Sequence, residues 1–179
     1  MKTLIIAAHP DLGVSQANRA LIDAVKGEQG IFVHDLYAEY PDWNIDVARE
    51  HRLLTEHDRI VLQFPFYWYS TPPLLKKWFD DVILSGWAYG PGGYRLKGKE
   101  FMVATTAGGT EKSFQAGGDN WYAMSEYLKP IQGTINKCSG VFLPPFVVYD
   151  ANRADGSRLQ QEGRRYAEHI RMPYRVLVH

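Results

Sequence analysis

The chain has 179 residues, with 20 basic residues balanced by 20 acidic ones, and 45% of it is hydrophobic. That composition predicts one cored domain over residues 1–179 and argues against disorder, which needs low hydrophobicity and high net charge. It also argues against nucleic acid as a main partner, because phosphate backbones select a basic excess or stripe.

No run approaches the roughly 18 apolar residues of a membrane span, and the apolar start is too short for a signal peptide. A cytoplasmic protein is therefore expected. The single cysteine, Cys138, leaves no intrachain disulfide and reads as a small core residue in a reducing compartment. Residues 4–8 form a continuous apolar run that predicts a central parallel strand buried on both faces. After the break at 9–14, Ala17, Ala20, Leu21, Ala24 and Val25 recur with helical period, and Ser15 is placed to cap that helix. Gly27 and Gly30 end it, and residues 31–33 give a second strand.

Asp46 can cap a second helix over 47–55. There Asp46, Arg49, Glu50, His51 and Arg52 read as a solvated face. Residues 60–64 predict a third strand, stopped by Pro65. Leu74, Leu75, Trp78, Phe79, Val82 and Ile83 then mark an amphipathic helix, from which Asp80 and Asp81 diverge into solvent. Residues 85–98 form a glycine-rich aromatic loop, and 101–105 a fourth strand. Trp121, Met124, Tyr127, Leu128, Ile131 and Ile135 suggest a fourth helix kinked at Pro130. Residues 141–143 and 146–149, split by two prolines, read as a fifth strand with a bend. A polar helix over 155–169 follows.

Strands alternating with helices imply an α/β fold, and five strands suggest the flavodoxin-like parallel order 2-1-3-4-5, with helices on both faces. Ligands in such sheets bind beyond the carboxyl ends of the strands, where three loops meet. The first loop, 9–15, lacks both the G-x-G-x-x-G and the G-x-x-x-x-G-K-[ST] patterns. It offers His9 and a helix N-terminus with Ser15, Gln16, Ala17 and Asn18, whose N–H groups suit a terminal phosphate; a plain cap and turn is the competing reading. In the second loop, Phe66, Tyr67, Trp68 and Tyr69 are four consecutive aromatics. They fill local core or stack on a flat ring system. The 13% aromatic share of the chain exceeds what a core of this size needs, which favours a ligand or an interface. The third loop, with Thr105, Thr106, Ala107, Gly108 and Gly109, is either a tight turn or a place where backbone closely approaches a ligand. The six histidines show no metal-ligand spacing, and no G-x-S-x-G elbow is present.

Taken together, Ala8-His9-Pro10, residues 15–18, Tyr40-Pro41-Asp42-Trp43-Asn44, residues 63–76, Gly86-Trp87-Ala88-Tyr89-Gly90, the 105–109 turn and Leu143-Pro144-Pro145-Phe146 resemble the flavodoxin-like NAD(P)H:quinone oxidoreductases, the DT-diaphorase family. The resemblance is strongest to its short bacterial branch, which includes ancillary proteins of glutathione-gated potassium efflux systems and general stress proteins. It implies FMN rather than the FAD of longer members, whose extra C-terminal segment this chain lacks. It further implies NAD(P)H as co-substrate, a quinone acceptor and a ping-pong hydride transfer through the flavin.

By the same resemblance, His9 and Ser15 to Asn18 hold the flavin phosphate and ribityl chain, and Phe66 to Tyr69 lie along the isoalloxazine. Thr105 to Gly109 match the family's Thr-Thr-Gly-Gly turn with an alanine inserted. No histidine matches the proton relay of the longer members, so no catalytic residue is assigned. The resemblance also implies a homodimer, in which the 85–94 loop covers the flavin edge of its own or the partner subunit. The alternative it carries is a regulatory subunit of a potassium/proton antiporter, peripheral to the inner face of the membrane. A one-electron carrier fits less well, because flavodoxins are strongly acidic and this chain is neutral.

Overall fold

The computed structural model describes residues 1–173; His179, one of the six histidines weighed as metal ligands, lies outside them. Among the described residues six strands form one parallel sheet: β1 (Thr3–Ala7), β2 (Ile31–Asp35), β3 (Arg59–Pro65), β4 (Glu100–Thr106), β5 (Val141–Phe142) and β6 (Phe146–Val148). The order is β2-β1-β3-β4-β5, and β6 also pairs with β4. The expected fifth strand is thus two short pieces on one neighbour. Val141 and Phe142 face Glu100 and Phe101, and Phe146 to Val148 face Ala104 to Thr106. Pro144 and Pro145 interrupt them, since proline cannot donate to a ladder.

The central strands are apolar without alternation because both faces are covered. Leu4, Ile6, Ile60, Leu62, Phe64, Phe101 and Val103 point into one core, while Ile5, Val61, Met102 and Ala104 point into the other. The first core is closed by α2 (Leu36–Glu39), α3 (Val47–Glu56), α4 (Pro73–Val82), α5 (Met124–Tyr127) and α6 (Lys129–Lys137). The second is closed by α1 (Gln16–Asp23) and α7 (Gly156–His169), through Leu21, Tyr166 and Ala167. Each large aliphatic or aromatic side chain so buried contributes about 1.5–3 kcal/mol.

Two expectations are corrected. The kinked fourth helix is two helices meeting at Leu128, with Pro130 in the first turn of α6, where its missing N–H costs nothing. The solvated face of α3 is not solvated at Glu50, whose side chain is fully buried among His34, Tyr40 and Trp78. Nor is His51 free: its ring stacks on Trp87 at 3.5 Å, and its Nε2 lies 2.8 Å from the Val82 carbonyl. Asp80 and Asp81 pair with Lys76 and Lys77 one turn earlier. Cys138 is buried as a free thiol, and burial pushes its pKa up.

Candidate functional site

At the carboxyl end of β1 the Ala8 N–H still donates to the Gln63 carbonyl at 2.8 Å, so the chain leaves the sheet only at His9. The His9 Nδ1 accepts the Asp11 N–H at 3.1 Å, which leaves Nε2 as the protonated nitrogen of the neutral ring. Burial lowers the His9 pKa against the raising effect of Asp11, so the ring is neutral near pH 7. Ser15 then caps α1, its Oγ accepting the Asn18 N–H at 3.3 Å. The first-turn N–H groups of Gln16 and Ala17 have no carbonyl within the helix to serve, and they carry the positive end of the helix dipole.

Past β3 the Phe66 N–H donates to the Thr106 carbonyl, and Tyr67 and Ser70 exchange two backbone bonds of 3.1 and 2.9 Å. Between them Trp68 and Tyr69 take left-handed φ values of 45° and 63°. Positive φ at both central residues defines a mirror-image tight turn, which normally selects asparagine and glycine. Phe66 turns inward against Phe114 and Tyr127, with ring centroids at 5.7 and 5.6 Å.

Past β4 the Thr106 Oγ1 accepts from the Asn18 Nδ2 at 3.0 Å. The Ala107 N–H donates to Val148, the Ala151 N–H to Ala107 and the Asp150 N–H to Gly109. These bonds draw the turn at 151–153 against the Gly108 backbone. A Cβ on Gly108 would meet the Asn152 Nδ2 at 3.0 Å, so glycine is what lets the amide lie so close.

The three loops enclose one cleft of about 670 Å³, within the usual range for ligand pockets. His9, Ser15, Gln16, Ala17, Asn18, Phe66, Tyr67, Thr106, Ala107 and Gly108 all line it. Four other candidates do not. Thr105 is fully buried, its hydroxyl donating to the Phe64 carbonyl, so Thr106 is the threonine that reaches the cleft. Gly109 packs toward Ser113 and Phe114. Trp68 stands 92% exposed at the turn tip, and Tyr69 stacks on Tyr127 at 5.0 Å. Nor does the 85–98 loop line the cleft within this chain, where its Trp87 is committed to His51.

Val14 and Pro65 also line the cleft, inside the first two candidate loops though not singled out there, whereas sequence reasoning missed Ala151 and Asn152 altogether. Asn152 lies beyond the split strand in a turn with no motif, and only the pairing of β6 with β4 brings it in. The cleft lining has no Lys or Arg; its polar groups are hydroxyls, amides, the neutral His9 and helix N–H groups. Asn18 is 2% exposed, and its Oδ1 has no hydrogen-bond partner. A buried acceptor left open costs about 1–3 kcal/mol, which a donor from water or from a ligand in the cleft would offset; the His34 Nδ1, buried away from the cleft, is likewise unpartnered. Among the described residues no group of His, Cys, Asp or Glu could hold a metal ion, and no helix is long and apolar enough to cross a membrane.

A cleft at the switch point of a 2-1-3-4-5 sheet, with a helix N-terminus at one end and aromatic rings at the other, defines a flavodoxin-like protein. The chain belongs to the family described by a flavodoxin-like fold, whose model matches residues 1–170. It is 47% identical to the uncharacterized NAD(P)H oxidoreductase YdeQ of Bacillus subtilis, over 95% of this chain and 86% of that one. It is 42% identical to the glutathione-regulated potassium-efflux system ancillary protein KefG of Cronobacter sakazakii, over 96% and 94%.

Among solved structures, a chain in the crystal structure of a thermophilic tryptophan halogenase from Streptomycin violaceusniger is 53% identical, with TM-score 0.93 and coverage of 96% and 99%. General stress protein 14 from Treponema denticola, solved in complex with FMN, is 38% identical, with TM-score 0.90 and coverage of 95% and 98%. An NADPH-quinone reductase from P. pentosaceus is 33% identical, with TM-score 0.87 and coverage of 95% and 98%.

Proposed function

We propose that the protein is an FMN-dependent NAD(P)H:quinone oxidoreductase. The observation that carries this is the open, buried Asn18 Oδ1 beside the capped N-terminus of α1, in a cleft whose other end is aromatic. The FMN held by the Treponema denticola relative and the reductase activity named for the others support it.

The residues present fit the cofactor. Gln16 and Ala17 offer N–H groups, and Ser15 a hydroxyl, to a phosphate. Asn18 offers its open acceptor to a hydroxyl of the ribityl chain. Phe66 and Tyr67 supply apolar rings, and the Gly108 backbone allows close approach at the ring edge. When bound, the flavin supplies two-electron hydride transfer, NAD(P)H and quinone using the same pocket in turn. His9, neutral with its proton on Nε2, is one of two titratable side chains of the cleft lining, with Tyr67, and its candidate proton donor.

The test is an absorbance spectrum of purified protein with FMN, then with NADPH, then with a benzoquinone. A bound yellow chromophore that bleaches and recovers is expected; protein that stays colourless after FMN addition refutes the reading. We propose also that the protein is a cytoplasmic homodimer, to be checked by light scattering.

A second reading is a regulatory subunit of a potassium efflux antiporter, favoured by the relative named as an ancillary protein of such a system. Co-purification with an antiporter from native membranes would support it.

A further inference from the structure

We propose that Tyr166, on α7, is a positioning residue for the flavin cleft, acting through Gln63 on the first turn of α1; the inference rests on the flavin reading above. Tyr166 is fully buried and does not line the cleft. Its hydroxyl donates to the Gln63 Oε1 at 2.9 Å, and the Gln63 Nε2 donates to the Asn18 carbonyl at 2.9 Å. Asn18, which lines the cleft, in turn gives its Nδ2 to Thr106 and keeps its buried Oδ1 unpartnered. Three bonds therefore join α7 to two of the three site loops.

The hydroxyl fixes which way the Gln63 amide points. Gln63 is 1% exposed, and rotating its amide would set Oε1 against the Asn18 carbonyl, acceptor against acceptor. A phenol that donates to Oε1 opposes that rotation. Burial raises the Tyr166 pKa, so the donor proton is retained across the working range. The approach of α7 that delivers the hydroxyl depends on Gly163, where a Cβ would lie 3.0 Å from the Ala24 side chain and 3.1 Å from the Ala20 carbonyl of α1. Nothing in the packing of the ring itself, which sits against Phe146 at 5.4 Å, requires the oxygen.

The experiment is FMN titration of flavin-free protein, followed by flavin fluorescence and by the FMN-induced rise in Tm. Tyr166→Phe should weaken the FMN Kd roughly 3- to 10-fold, the worth of one hydrogen bond. Gln63→Met should weaken it at least as much, and adding Tyr166→Phe to Gln63→Met should change nothing further. Ile135→Val, a loss of packing in the opposite core, should lower Tm and leave the Kd unchanged. Wild-type affinity in Tyr166→Phe, additive losses in the double variant, or an equal loss in Ile135→Val overturns the inference while leaving the flavin reading standing. Wild-type protein that does not bind FMN overturns both. If Tyr166→Phe does not fold, Gln63→Met decides, wild-type affinity there being the overturning result.

Discussion

Two buried polar clusters lie on opposite faces of the sheet and do different work. On the α3 side, the Glu50 carboxylate takes bonds from Tyr40 at 2.6 Å and Trp78 at 2.8 Å, and lies 2.9 Å from the His34 Nε2. On the α7 side, Tyr166, Gln63, Asn18 and Thr106 are joined without any formal charge. The first cluster ties β2, the end of α2, α3 and α4 together around one carboxylate, and its unpartnered atom, the His34 Nδ1, is buried away from the cleft. The second ends in Asn18, which lines the cleft and keeps a buried, unpartnered Oδ1. The charge sits where several segments are clamped together, and the neutral donors and acceptors sit beside the cleft.

The largest way to break this contrast is Glu50→Ala, which leaves three buried partners facing nothing. Removing one side of such a buried set costs about 3–5 kcal/mol. Chemical denaturation should show that loss, while the FMN affinity of the folded protein stays unchanged. A large fall in affinity would mean that the two clusters are coupled through the sheet.

Asn18→Ala should do the reverse. It removes the open acceptor and a bond to Thr106, and should cost about 1 kcal/mol or less in the absence of FMN. The FMN Kd should weaken roughly tenfold, about 1.4 kcal/mol. Isothermal titration beside urea unfolding separates the two effects.

The pH dependence of stability separates the clusters again. Burial pushes the Glu50 pKa up, but its bonds with His34, Tyr40 and Trp78 outweigh that and leave it below the ordinary value of 4.5. The unfolded chain therefore takes up this proton first as pH falls. Stability from Glu50 is full above about pH 4.5 and is lost below it. Tyr40 and Tyr166 are raised above the ordinary 10.0, mainly by burial, so their contribution is full below that pH and is lost as pH rises past it. Urea midpoints across pH should show an acid limb that flattens in Glu50→Gln and persists in Tyr166→Phe.

How far the sequence foresaw this follows the range of the signal. The Ser15 cap, the apolar runs of β1 and β3 and the α4 periodicity are local, and each is where its residues predict it. Glu50 was misread because helical spacing alone cannot show that His34, Tyr40 and Trp78, from three other segments, converge on one carboxylate. Asn152 and Gln63 escaped for a related reason: their roles arise from the pairing of β6 with β4 and the seating of α7 on α1, contacts that join residues over a hundred positions apart in the case of Tyr166 and Gln63.

The smallest effect concerns the aromatic turn, where the site meets solvent. Trp68 is 92% exposed, with φ at 45°, so its ring gains little from packing and its backbone bears left-handed strain. Asparagine tolerates that conformation, and Trp68→Asn should stabilise the protein by about 0.5 kcal/mol, or roughly 1–2 °C in Tm. Strain kept at a cleft rim implies a use for the side chain. If the ring meets the acceptor or the partner subunit, the same variant should lose quinone kcat/KM, or dimer stability, while gaining Tm. A variant that gains Tm with both unchanged would make Trp68 an ornament of the turn, and would place the whole recognition task on Phe66, Tyr67 and the buried amides behind them.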